Sequence, residues 1–233
     1  MKFTKSTLSL LFLVFTTHFN AQNCENALLL KEGNALTYNT YNKKGKAIYQ
    51  TTVTTTFLDT ENDWSQATVN STVISTSNED SFDTTYKISC ENGMMSYEMI
   101  HFFETAILSK YNALDFVFEM DGDILEFPSQ LEVGQDLNGG TFTAAVEGQT
   151  KTLIKIIFEI SQRKVVDNEM KTTNMGTFEC KKITYNYSNQ AGIKTEGTVS
   201  EWYTNDKLLL RAEKYNRKGK IIAIKELVNI TKK

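Results

Sequence analysis

Few side chains in this sequence are equipped for chemistry. Of its 233 residues, two are histidines and three are cysteines, which leaves little material for a metal centre or a nucleophile–base pair. His101 sits in Ile100-His101-Phe102-Phe103, where a core or boundary histidine is more ordinary than a base. The chain has no Gly-x-Ser-x-Gly elbow, no phosphate-binding glycine loop and no His-Glu-x-x-His. Glu119, Asp121, Asp123 and Glu126 cluster around Gly122, yet they lack the alternating acids and closing Glu of a calcium loop. They read as a solvated acidic turn, and the sequence implies no cofactor and no metal.

Glu226 is the most interesting single residue. Tyr215-Asn216-Arg217-Lys218-Gly219-Lys220 reads as a hairpin tip, with Gly219 taking a left-handed position. Pairing Asn216 with Lys220 then pairs 212 with 224 and 210 with 226. That register gives one face Leu208, Leu210, Ala212, Ile222, Ile224 and Val228, and the other Leu209, Arg211, Glu213, Tyr215, Ile221 and Lys225. Glu226 falls opposite Leu210 on the apolar face, where an unpaired carboxylate favours its neutral form. Trp202 and Tyr203 face opposite ways on a nearby strand. Ile183, Tyr185 and Tyr187 oppose the parity of Phe178 and Cys180, which predicts a bulge near Lys181–Lys182 or two covered faces. Glu226, Trp202 and Tyr185 are the candidate ligand-binding residues, against the ordinary alternative of a rim position or an ion pair for Glu226.

The elements that position these residues follow from an exported chain. Lys2 and Lys5, the apolar run Leu8–Phe15 and a small residue at Ala21 have the layout of a signal peptide over residues 1–21. The run is too short to span a bilayer, and no later apolar run is long enough for a transmembrane segment. Removing residues 1–21 leaves 23 basic against 28 acidic residues, a net charge of −5. Nucleic acid is therefore a disfavoured partner. The expected location is periplasmic or secreted, where two of Cys24, Cys90 and Cys180 can pair. Cys180 shares a face with Phe178 and suits a buried thiol, which leaves Cys24 and Cys90 as the disulfide candidate.

Residues 22–233 read as a single β-rich domain. Alternation predicts strands over 36–41, 47–58, 67–76, 84–90, 152–166, 177–187, 193–203, 208–215 and 221–230. Apolar spacing over Met99–Asn112 predicts one short helix. The only proline, Pro128, falls in a connector between the two blocks of strands. The fold class is all-β: a large curved antiparallel sheet closing toward a barrel or a two-sheet sandwich. The tip Tyr41-Asn42-Lys43-Lys44-Gly45-Lys46 echoes the tip at 215–220. Such lysines are ordinarily solvated and discourage edge pairing, with docking to anionic lipid or glycan as the alternative.

Gly176-Thr177-Phe178-Glu179-Cys180, Glu201-Trp202-Tyr203 and the 213–220 tip, with Leu30-Lys31-Glu32-Gly33 and Phe127-Pro128-Ser129 earlier on, resemble the TapB-like family of exported bacterial proteins. That group is related to a broader family of unknown function. The resemblance implies an envelope-associated β protein and brings no catalytic residues. Three functions are in view. The first is a non-enzymatic protein binding an apolar small molecule or an envelope protein. The second is a purely structural or interaction module. The third is a hydrolase using carboxylates alone, which would set two acids facing each other at roughly 5–9 Å.

Overall fold

Alternation of β-branched and aromatic residues with polar ones carries through into the structure, a computed structural model that describes residues 24–77, 80–108, 117–147 and 152–233. Thirteen strands form: β1 (Ala35–Asn42), β2 (Ala47–Glu61), β3 (Trp64–Ser75), β4 (Ser81–Glu91), β5 (Met94–Glu98), β6 (Val117–Gly122) and β7 (Ile124–Phe127). The second half supplies β8 (Gly140–Glu147), β9 (Thr152–Thr173), β10 (Gly176–Ala191), β11 (Ile193–Tyr203), β12 (Leu209–Asn216) and β13 (Ile221–Thr231). β4 shows the logic plainly: Phe82, Thr84, Tyr86, Ile88 and Cys90 are buried and the residues between them are not. Period-two burial of this kind places one face on the core and the other in water.

All thirteen strands belong to one antiparallel sheet in the order β6-β8-β9-β10-β11-β12-β13-β1-β2-β3-β4-β5-β7. The sheet curls until its two edges meet. β6 and β7 lie at opposite edges but are separated in sequence by Asp123 alone. There the Asp123 amide donates to the Thr141 carbonyl at 2.9 Å, and its carboxylate accepts from the Thr141 amide at 2.8 Å. Side chains close the rest of the seam. Asn138 donates to the Ile124 carbonyl at 2.8 Å and accepts from the Glu126 amide at 2.9 Å. Arg163 donates to the Glu126 carbonyl at 2.9 Å, and its guanidinium lies 4.1 Å from the centre of the Phe127 ring.

Two segments fill the barrel from inside. At one end, single 3-10 turns at Cys24–Asn26 and Leu28–Leu30 bury Leu29 and Leu30, and Cys24 is disulfide-bonded to Cys90. Residues 99–108 enter from the side. They form two single 3-10 turns, Met99–His101 and Thr105–Ile107, in place of the expected helix, of which 109–112 lie outside the described residues. Met99, Ile100, Phe103, Thr105, Ala106 and Leu108 are all buried. The segment is apolar because it is enclosed, so its spacing imitated a helical stripe without the backbone of one.

Irregularities decide which side chains face inward. The expected break near Lys181–Lys182 appears as a register shift against β9 between Lys182 and Ile183. A second shift between Thr184 and Asn186 accompanies Gln162, whose φ is +51°. Together they keep Ile156, Phe158, Ile160, Arg163 and Val165 all buried along one strand. In the last hairpin the tip forms as expected, with the Asn216 amide donating to the Lys220 carbonyl at 3.0 Å and Gly219 at φ +69°. One residue later the register shifts between Lys214 and Tyr215. Ala212 then pairs with Lys225, and Arg211 with Glu226. A one-residue slip exchanges the two faces of a strand, so the expected faces of β13 are inverted.

Candidate ligand cavity inside the barrel

The inverted register has a chemical consequence. Lys225 and Ala223 now face the interior with Ala212 and Lys214, and all four line a cavity of about 140 Å³. Its walls come from β1 to β4 and β9 to β13, with Leu29 at the N-terminal turn, and residues 100–106 supply the remaining side. Tyrosines dominate: Tyr38, Tyr49, Tyr86, Tyr185, Tyr187 and Tyr203 all contribute. Tyrosine gives such a chamber a large apolar body with a hydroxyl that can still bond.

Glu201 is the charged group at its heart, 5% exposed. Its two carboxyl oxygens accept hydrogen bonds from the Tyr185 and Tyr203 hydroxyls, each at 2.8 Å. Burial pushes its pKa above the ordinary carboxylate value, while the two tyrosine bonds and the charges of Arg163 and Lys225 pull it back down. Burial and the nearby carboxylate hold both tyrosines well above their usual range, so they stay protonated donors. Lys225 is pushed down by burial and up by Glu201 and Glu104. Its ammonium lies 4.9 Å from the centre of the Tyr38 ring, and among the described residues it has no ion pair within 4.0 Å.

His101 shares a 2.8 Å hydrogen bond with the Tyr86 hydroxyl and packs against Tyr97, with ring centroids 4.9 Å apart. Burial, with Lys225 adding to it, lowers its pKa to about 3. It is a neutral imidazole at any physiological pH. At the rim, Lys214 bonds the Glu104 carboxylate at 3.1 Å and lies 4.7 Å from the centre of the Tyr187 ring. This ion pair ties the inserted segment to β12.

Of the three expected site residues, Tyr185 lines the cavity and the other two do not. Glu226 accepts from the Arg211 guanidinium at 2.7 Å, and the same guanidinium reaches Glu213 at 2.8 Å. That is the ion-pair alternative, on the face away from the cavity. Trp202 lies on that outer face too, 3% exposed, with the Lys171 ammonium 3.5 Å and the Lys182 ammonium 5.1 Å from its ring centre. Its indole N–H donates to Glu169. Glu201 escaped notice although parity places it with Val199 and Tyr203, opposite Trp202. Lys225 escaped because nothing in the sequence announces the bulge at Lys214. The acidic residues around Gly122 serve the seam through Asp123, and Cys180 is free and buried, its thiol pushed up to about 11 by burial.

A family model described as DUF3108-like matches residues 31–227, most of the barrel. The chain belongs to the DUF3108-like family. The match carries this broader membership and not the narrower TapB-like name. Two solved structures share the fold of this DUF3108-like protein. One, from Bacteroides fragilis NCTC 9343, is described as an exported protein with a YmcC-like fold. It is 22% identical, with a TM-score of 0.74 over 87% of this chain and 97% of that one. The other, described as a lipoprotein of Parabacteroides distasonis ATCC 8503, is 16% identical, with a TM-score of 0.73 over 87% and 96%. Among curated proteins none matches the chain.

Proposed function

We propose that this is an exported, envelope-associated, non-enzymatic protein that holds a small amphipathic molecule inside its barrel. One observation carries the reading: a cavity of about 140 Å³ whose wall includes Lys225, which among the described residues has no carboxylate within 4.0 Å. An engineered cavity of about 150 Å³ accepts benzene, so the guest has the bulk of one ring or a short acyl segment. Tyr38, Tyr185 and Phe158 suit its apolar part, and Lys225 suits a single anionic group. The descriptions of the two similar structures, one exported and one a lipoprotein, support the envelope setting.

The titratable groups favour binding over turnover. A histidine with a pKa of about 3 has little driving force as a general base at neutral pH. Both oxygens of Glu201 are occupied by tyrosine hydroxyls, and Glu104 is held by Lys214. The test is native mass spectrometry on protein purified from its own envelope. Wild type should carry an added mass that organic extraction removes, and Lys225→Met should lose it while keeping the fold by circular dichroism. A wild-type protein that carries nothing overturns the reading, as does a mass that persists unchanged in Lys225→Met.

A further inference from the structure

The two echoing tips share more than sequence. Both close the same way: the side-chain oxygens of Asn42 and Asn216 each accept from two backbone amides, those of Lys44 and Lys46 and of Lys218 and Lys220. β13 pairs with β1, placing Asn42 opposite Ala223, so the tips stand side by side at one end of the barrel. The β10–β11 turn joins them there, because Gly197 lies opposite Asn216 and the turn runs beyond it through Ile193.

These three tips expose Lys43, Lys44, Lys46, Lys194, Arg217, Lys218 and Lys220. Glu196 is the only carboxylate within them. It takes Arg217 at 3.2 Å and Lys194 at 3.4 Å. Among the described residues the other five lysines have no ion pair. Apolar side chains stand with them: Ile193 is 82% exposed and Ile221 38%. The opposite end carries Asp59, Glu61, Asp63 and Glu91 around the β2–β3 and β4–β5 turns. The β3–β4 turn brings Asp80 to the basic end, and Lys31, Lys207, Lys232 and Lys233 stand at the opposite end with those acids, so the contrast rests on the seven basic side chains gathered at the three tips.

We propose that the basic end, formed by the tips at 42–47, 190–197 and 216–221, docks on an anionic lipid bilayer. Clusters of four to eight Lys and Arg are drawn to anionic headgroups, and the attraction falls off within a Debye length of about 8 Å at physiological salt. Only groups at the tips reach that layer. Ile193 then enters the headgroup boundary, as apolar side chains of interfacial proteins do. The opposite end, of mixed charge, points away from the bilayer. Tyr49, Tyr187 and Lys214, on the cavity wall nearest these tips, then face the bilayer. The surface stands on observations separate from the cavity, and its test does not require a guest.

The experiment is co-sedimentation with two kinds of vesicle, phosphatidylcholine alone and phosphatidylcholine mixed equally with phosphatidylglycerol. Wild type should sediment with the mixed vesicles only and be released by high salt. Charge reversal at Lys43, Lys44, Lys218 and Lys220 to Glu should lower the partition at least about tenfold. Ile193→Asp should lower it several-fold, and Asp59→Asn with Glu61→Gln at the far end should leave it unchanged. All these positions are exposed, and an unaltered unfolding midpoint confirms that each variant folds. Equal partition onto both vesicles, no partition onto either, or binding indifferent to the charge reversal overturns the proposal. An Ile193→Asp protein that binds as wild type overturns the insertion of that side chain.

Discussion

His101 is a side chain whose ionisation the barrel changes within the acidic range. In an unfolded chain an imidazole titrates near 6.5, and here burial lowers it to about 3. Between those values the unfolded state binds the extra proton. The stability tied to a neutral His101 is therefore complete above pH 6.5 and is lost as the pH falls toward 3. The limiting slope is about 1.4 kcal/mol per pH unit for one proton. Glu201 works in the opposite sense, since burial raises its pKa and acidification relieves a buried carboxylate. Comparing wild type with His101→Gln separates the two. Urea unfolding at a series of pH values from 7 to 4 should show wild type losing stability faster than the variant. Parallel curves would show that His101 is not desolvated in the fold.

Among elements, the N-terminal arm and the strand irregularities teach different lessons. The disulfide from Cys24 to Cys90 spans 66 residues and anchors the arm to β4. On a chain-entropy estimate, closing a loop of that size contributes about 4 kcal/mol. The Cys24→Ser/Cys90→Ser protein should unfold at correspondingly lower urea, with Leu29 and Leu30 released from the barrel end. Strands whose alternation was strong, such as β3 and β4, were legible from sequence, and so were both asparagine-glycine tips. β5 to β8 were not. They are short, and β7 has four residues running into Pro128. The cavity was legible only at Tyr185. Two of its charged residues depend on facts outside local pattern: the shift at Lys214 turned Lys225 inward, and the aromatic Trp202 beside Glu201 carries the stronger sequence signal.

For the molecule as a whole, closure rests on side chains where a ladder is missing. Arg163 is 1% exposed, and among the described residues its Nε and Nη2 groups have no hydrogen-bond partner, while Nη1 holds β7 through the Glu126 carbonyl. It also offsets the charge of Glu201. Losing a hydrogen bond made by a charged group costs about 1.5–3 kcal/mol. Arg163→Ala should therefore lower the unfolding free energy by that amount. Hydrogen exchange should quicken first at the amides of Ile124–Phe127, ahead of β10 and β11. Uniformly faster exchange throughout the sheet would mean that the guanidinium supports the core and not the seam.

The strand order also bears on how the chain finds this shape. From β8 to β13 and from β1 to β5, every ladder joins strands adjacent in sequence, so each run is a simple meander that can zip up from its own turns. The one pairing between the runs is β1 with β13, beginning at Ala35 and Thr231. Nearly the whole chain lies between those partners, so this ladder alone bears the large loop-closure entropy. The two meanders are the ladders of low closure cost, and the single long-range ladder that brings Lys225 beside Tyr38 and encloses the interior is the costly one.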